Sequence, residues 1–372
     1  MIIGIDISST QYGTGVSDYT LNLVKNLIKI DHKNTYKLFF ASLRHSPPKF
    51  PLQTNLKIYR SYLPLNIFEI LFNRLRLPVE LFIGKCDVFH SSDWTQPSAL
   101  KAKIVTTVHD LTPFINPNWH HPKVISVHNR KMKLAARFCS HFICVSQNTQ
   151  KDLLRLFPSI NPKKTSVIYE SAPDSYRHFR LLSLRQKNKT SNDVKSKYSL
   201  EQFLLAQGTR EPRKNLDRLI KAFVAFKKTQ PSSKLQLAIT GKYGWGQDIS
   251  QNLHSDIKIL GFVPNTDLLP LHAAAYCLIY PSLYEGFGLP ILKSLFLGVP
   301  VITSSTSSLP EVAGPAALYV NPLSTESIKK AIERIVSSPQ THSNLSKSAI
   351  LQAKKFSWVK TAKETLAVYN NV

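Results

Sequence analysis

Short apolar runs, each long enough for one strand, recur along this chain with helix-length segments between them, and this alternation narrows the fold more than any bulk property. The runs fall at residues 2–7, 36–40, 87–90, 104–108, 142–145 and 166–169, then again at 203–207, 235–240, 257–260, 276–280 and 300–303. Between the first two, residues 16–30 repeat Leu21, Val24, Leu27 and Ile28 at helical spacing. Parallel strands need a crossover of about a dozen residues or more, usually a helix, so the pattern predicts parallel sheets covered by helices. The 372 residues exceed one core of ordinary size. The expected fold is therefore α/β, with two Rossmann-like doubly wound domains facing a cleft and ligands at the carboxyl ends of the strands. Residues 177–199 are polar and rich in Lys, Ser and Asn, with no apolar period beyond Leu181, Leu182 and Leu184. They read as a linker, 176–200, between a first domain at 1–175 and a second at 201–356.

Composition excludes several classes of function. Four cysteines, Cys86, Cys139, Cys144 and Cys277, have neither metal-ligand nor C-x-x-C spacing, so they read as buried thiols of a cytoplasmic protein, with no metal site. The first strand carries Asp6 and has no basic flank, unlike a signal peptide. No uninterrupted apolar run approaches the ~18 residues of a membrane span. Lys and Arg total 48 against 23 Asp and Glu, a net charge of +25. The excess is diffuse and lacks the interleaved aromatics of a nucleic-acid surface, so no nucleic-acid partner is expected. It reads either as a solvated surface or as attraction to an anionic membrane. For the second reading, Lys123, Arg130 and Arg137 recur every seven residues behind Pro122, with Lys133 beside them on one helix face.

Three loops carry candidate chemistry. Gly13 and Gly15 follow the first strand and open a helix, so the loop is either a phosphate approach or a plain tight turn; Asp18 stands where a dinucleotide fingerprint has its third glycine. Residues 208–215, Gly-Thr-Arg-Glu-Pro-Arg-Lys-Asn, follow the first strand of the second half. Arg213 and Lys214 there offer a planar fork and a point charge, suited to a diphosphate. Residues 280–290, Tyr-Pro-Ser-Leu-Tyr-Glu-Gly-Phe-Gly-Leu-Pro, run from a strand into a glycine-rich loop. Pro290 then suits a first helical turn and Gly298 the helix C-terminus.

These stretches, with Thr-Gly-Lys-Tyr-Gly-Trp-Gly at 240–246, Leu-Gly-Phe-Val at 260–263, Ser-Ser-Leu-Pro-Glu-Val-Ala-Gly at 307–314, Val-His-Asp-Leu-Thr-Pro-Phe at 108–114 and Phe-Ser-Trp at 356–358, resemble the glycosyltransferase group 1 enzymes of the GT-B fold. The resemblance spans nearly the whole chain and is strongest to bacterial mannosyltransferase B-like members. It implies retaining transfer of a hexose, mannose favoured, from a nucleotide diphosphate sugar such as GDP-mannose to a glycan or lipid-linked acceptor of surface polysaccharide, with no cofactor or required metal. It further implies that Arg213 and Lys214 hold the diphosphate, that Glu285 with the backbone of Phe287, Gly288 and Leu289 holds the donor sugar, and that His109 lies at the reacting centre. Gly13 and Gly15 would approach phosphate or acceptor, Phe262 and Val263 would border the base, and the helix 357–372 would return to the first domain. The protein would be cytoplasmic, and peripheral on the inner face of the membrane if its basic surface binds there.

Two positions depart from the family pattern. Ser171 replaces a glycine near the end of the first domain. Lys293 stands where a second glutamate accepts bonds from the donor's ribose, and an ammonium accepts none. The lysine is compatible with a direct bond to donor oxygen, with a salt bridge to Glu285, or with a catalytically impaired relative that binds or scaffolds.

Overall fold

Both halves of the chain form an all-parallel sheet in which β-branched and aromatic runs supply the strands. The structure, a computed structural model, describes residues 1–245 and 253–372. Gly246, the last residue of the 240–246 motif, lies outside the described residues. Two units are distinguishable, Met1–Ser171 with Ser357–Val372, and Ala172–Phe356.

The first unit contains β1 (Ile2–Asp6), β2 (Thr35–Ala41), β3 (Leu56–Ser61), β4 (Val88–Ser91), β5 (Lys103–Val108), β6 (His141–Cys144) and β7 (Thr165–Val167), in the spatial order β3-β2-β1-β4-β5-β6-β7. One face packs Ile3, Ile5, Leu23, Leu27 and Tyr36 against Trp358, Ala362 and Tyr369 of the helix Trp358–Asn371. The other face is rich in phenylalanine, with Phe39, Phe68, Phe72, Phe89 and Phe142 buried together. The second unit contains β8 (Phe203–Gln207), β9 (Gln236–Thr240), β10 (Ile257–Gly261), β11 (Cys277–Tyr280), β12 (Val301–Ser304) and β13 (Ala317–Val320), in the order β10-β9-β8-β11-β12-β13. Its core joins Leu204, Phe223, Leu237, Ile279, Ile302 and Ile332. Each sheet thus reverses its order beside its first strand, the arrangement that gathers ligand-binding loops at strand carboxyl ends.

Three differences from the sequence expectation stand out. β3 and β13 were not legible as strands: both are edge strands whose alternating exposure breaks the apolar run. The segment expected as a linker at 176–200 is instead helical, as Asp174–Leu181 and Leu184–Lys197, and lies inside the second unit. Its second helix starts with a capping box between Ser183 and Gln186, and it buries only Val194, so no apolar period announces it. Lys197 and Tyr198 bond Asp267 at 2.6 and 2.8 Å, tying that helix down from its end. Among the described residues no helix is long and apolar enough to cross a membrane, and all four cysteines are free and buried.

Candidate functional site

The second unit brings Arg213, Lys214 and Glu285 into one buried cluster. Arg213 and Lys214 lie in the short 3-10 turn Pro212–Lys214 beyond β8, and Glu285 lies in the loop beyond β11, the neighbouring strand. Arg213 Nη1 donates to Glu285 Oε2 at 2.5 Å and to the Tyr284 carbonyl at 2.9 Å, while Nη2 donates to Glu211 Oε1 at 2.5 Å. Lys214 Nζ donates to Glu285 Oε1 and to the Tyr280 hydroxyl, both at 2.7 Å, and that hydroxyl donates in turn to Glu285 Oε1 at 2.7 Å. Burial alone would raise the Glu285 pKa, but the adjacent Arg213 and Lys214 charges outweigh it and hold the carboxyl at about 2. Burial, then the neighbouring Arg213 guanidinium, lowers the Lys214 pKa from its ordinary value. Burial with Glu285 alongside holds the Tyr280 phenol protonated as a donor. Two cations matched by Glu211 and Glu285 satisfy the rule that buried charges be paired.

The loop's own shape is set by hydroxyls. Ser308 Oγ donates to the carbonyls of Glu285 and Phe287 at 2.9 and 2.8 Å, and Ser307 Oγ accepts from the Glu285 N–H at 3.0 Å. Gly288, at φ 116°, caps the helix Leu289–Leu297, which has Pro290 in its first turn and ends at Gly298 in the left-handed conformation. At the other side of the cations, β8 and β9 end in close backbone contact: Gly241, at φ +140°, would place a Cβ 1.8 Å from the Gly208 carbonyl oxygen. A concavity of about 580 Å³ lies against the same turn, lined by Arg210, Glu211, Arg218, Lys221 and Leu283 among others, and is of small-molecule size.

Lys293 is buried on the helix Leu289–Leu297, with its ammonium 5.8 Å from the Tyr176 ring centroid. Glu285 has its oxygens engaged by Arg213, Lys214 and Tyr280. Nearby His272 bonds Ser294 and Gln207, and burial, then the Lys293 charge, pushes its pKa down to about 3. Phe262 is exposed beneath Lys242, whose ammonium is 5.1 Å from its centroid, whereas the side chain of Val263 is buried.

In the first unit, Gly13 is exposed at φ +63° with open space where a Cβ would stand, so it serves backbone conformation rather than close packing. Gly15 opens the helix Gly15–Ile30, which Thr14 and Ser17 cap. His109 follows β5 and is 13% exposed, with its Nδ1 3.6 Å from Glu170 Oε1. The Tyr19 ring meets it edge-on at 4.7 Å. A cavity of about 20 Å³, enough for one water, is bounded by Asp6, Tyr19, His90, Asp93, Thr107 and His109. Burial raises the Asp6 pKa although Ser8, Ser92 and Thr95 bond the carboxylate. Among the described residues no His, Cys, Asp and Glu cluster could hold a metal ion.

Sequence reasoning missed Tyr280, Glu211, Ser307, Ser308 and Glu170. Two signals were present: a tyrosine inside an apolar strand needs a buried partner for its hydroxyl, and the hydroxyl-rich run Ser304-Ser305-Thr306-Ser307-Ser308 follows a strand end.

The chain is similar to known proteins along its whole length. Residues 187–352 match the family model described as Glycosyl transferases group 1, and residues 13–171 match that described as Glycosyltransferase Family 4. The chain is 29% identical over 377 residues to O-antigen chain mannosyltransferase B of Escherichia coli, covering 96% of each. Among solved structures it resembles sucrose-phosphate synthase from Thermosynechococcus elongatus, with TM-score 0.73, 17% identity and coverage of 100% of this chain and 98% of that one. It also resembles Anabaena HepE in complex with UDP and glucose, with TM-score 0.68, 17% identity and coverage of 100% and 99%. Residues 187–352 thus belong with the glycosyl transferases group 1 and residues 13–171 with glycosyltransferase family 4, and the chain has the GT-B fold.

Proposed function

We propose that this protein is a retaining, metal-independent mannosyltransferase that uses GDP-mannose and extends a glycan or lipid-linked glycan of O-antigen type on the cytoplasmic side of the membrane. The observation that carries the reading is the Arg213–Lys214–Glu285 cluster, two buried cations and one carboxylate at adjoining strand ends. The full-length similarity to an O-antigen chain mannosyltransferase supports the choice of sugar and acceptor class. In the transfer, the bond between the anomeric carbon and the β-phosphate oxygen breaks, with its electron pair going to the phosphate. The acceptor oxygen bonds the same face of the sugar, and its proton passes to the departing phosphate. Arg213 and Lys214 hold the diphosphate and stabilise the charge that develops on it. Glu285 then turns from its internal cations to the sugar hydroxyls, together with the backbone of Phe287, Gly288 and Leu289, while Phe262 and Val263 border the base. His109 serves the donor sugar, and Gly13 and Gly15 line the approach of phosphate or acceptor. Lys293 takes the place of a ribose-binding glutamate and retunes donor preference.

A membrane-borne acceptor suits the basic surface of the first unit. Lys123, Lys133 and Arg137 are exposed along the helix Pro122–Phe138, whereas Arg130 is engaged by Glu69. Exposed Phe138 lies under both Arg76 and Arg137, at 4.6 and 5.2 Å, which gives a cationic surface with an apolar component, suited to anionic headgroups.

The test is a nucleotide-sugar panel led by GDP-mannose, run on the natural protein and on Lys293→Glu, with glycan acceptors free and in anionic vesicles. The expected result is acceptor-dependent GDP release by the natural protein, faster on vesicles at low salt, with donor affinity altered in Lys293→Glu. Turnover by Lys293→Glu alone would make the natural protein a binding or scaffold relative, and turnover with another donor would replace mannose.

A further inference from the structure

Glu170 is a buried carboxylate whose one charged partner among the described residues is His109. It follows β7 and is 3% exposed, and Thr361 of the helix Trp358–Asn371 fixes the adjoining main chain by donating to the Tyr169 carbonyl at 2.6 Å. Its Oε1 lies 3.6 Å from His109 Nδ1, and its Oε2 is buried without a hydrogen-bond partner. A carboxylate removed from water is tolerable only if it is neutralised. Among the described residues no arginine or lysine pairs with it, so the neutralising charge comes from the His109 ring. The carboxylate beside it favours the charged imidazole that burial alone would disfavour. The ring's other nitrogen, Nε2, has no hydrogen bond within the described residues.

We infer that Glu170 is a positioning residue for His109, fixing the ring through Nδ1 and keeping it a cation, so that Nε2–H is offered to an oxygen of the bound donor. This deepens the glycosyltransferase reading and rests on it for the identity of that oxygen. The remaining groups around the ring act in the same direction. Burial opposes the charge, but Glu170, then Asp93 and Asp110, raise the His109 pKa above its ordinary value, and Tyr19 covers one side of the ring while itself staying protonated. As a fixed cation the histidine neutralises charge developing on the sugar–phosphate bond without giving up its proton. A neutral ring in either tautomer would supply a weaker dipole.

The experiment follows the His109 ring by two-dimensional 1H–15N spectra across pH in the donor-free protein, for the natural sequence, Glu170→Gln and Glu170→Asp, alongside pH profiles of donor kcat/KM. In the natural protein His109 should titrate above 6.5, the ordinary histidine value. Glu170→Gln, which keeps shape and removes charge, should bring it to or below that value, and Glu170→Asp should restore part of the rise. The kcat/KM of Glu170→Gln should fall more at pH 8 than at pH 6, by up to about tenfold for each unit that the substitution takes off the pKa, because the cationic fraction drops tenfold per unit above the pKa. An unchanged His109 titration in Glu170→Gln overturns the inference, and so does an equal loss of kcat/KM at both pH values. The spectra need no substrate, so failure of the glycosyltransferase reading would show separately, as inactivity of the natural protein with its His109 titration intact.

Discussion

At the scale of single residues, the candidate site is a question of how a carboxylate and two cations share a buried space. Glu285 has a folded pKa near 2, below its ordinary 4.5, so the unfolded chain takes up protons first as the solution is acidified. The sign is that of a depressed acid: its stabilisation is complete above about 4.5 and is lost as pH falls toward 2. Between pH 5.5 and pH 3 the loss is on the order of 2 kcal/mol. Glu285→Gln should therefore reduce the acid-induced drop in urea-unfolding free energy by about that amount, and an unchanged drop would assign the acid sensitivity elsewhere. The pairing has a functional face as well. Lys214→Met keeps most of the side chain's volume but removes a donor to Glu285 and Tyr280, and it should lower donor kcat/KM by roughly 10²–10³. Circular dichroism and a melting curve within a few degrees of the natural protein would separate lost chemistry from lost fold.

The sequence made Arg213, Lys214 and Glu285 legible as strand-end groups, but not the ring they form with Tyr280. Arg213 and Glu285 lie 72 positions apart, and nothing in the spacing of either loop says that the cations meet a carboxylate before they meet a phosphate. Lys293 was legible as an unusual residue. Its neighbours Tyr176 and His272 were not, since one comes from the segment that read as a linker.

At the scale of elements, the fold was written most plainly where strands are fully buried. β1, β5, β8 and β11 are largely apolar and almost wholly buried because parallel central strands are covered on both faces. Edge strands β3 and β13 alternate with exposed residues and escaped notice for that reason. The helix Leu184–Lys197 escaped because a solvated helix that buries only Val194 has no apolar stripe to read. The junction of β8 and β9 depends on a different kind of information, the room left for backbone. Gly241→Ala places a methyl group 1.8 Å from the Gly208 carbonyl oxygen at a φ of +140°, so one of the two strand ends must move. The expected cost is about 3 kcal/mol or more, read by chemical denaturation. Gly208 begins the loop that holds Arg213 and Lys214, so donor affinity should fall in parallel. Gly13→Ala is the contrasting case, with a positive φ but open space, and should cost only about 1 kcal/mol.

At the scale of the whole molecule, each unit carries, among its described residues, one buried histidine held neutral. In the first, His90 bonds Tyr369 of the final helix at 2.6 Å and Thr107 at 2.9 Å; in the second, His272 bonds Ser294 at 2.9 Å and Gln207 at 2.5 Å. Burial pushes both pKa values down to about 3, with the His109 and Lys131 charges assisting at His90 and the Lys293 charge at His272. For a base whose folded pKa is depressed, the unfolded chain gains protons first. The neutral pairing is therefore fully stabilising above the ordinary value of 6.5 and loses ground steadily as pH falls from 6.5 toward 3. At pH 5 each histidine should cost its unit on the order of 2 kcal/mol relative to pH 7. Calorimetry at the two pH values should consequently show the unfolding of both units shifted downward. His272→Gln should blunt the shift only for the unit built from Ala172–Phe356, because His90 lies in the other. If that variant left both transitions as acid-sensitive as before, the loss would belong to the carboxylates, which titrate lower, and not to the histidines.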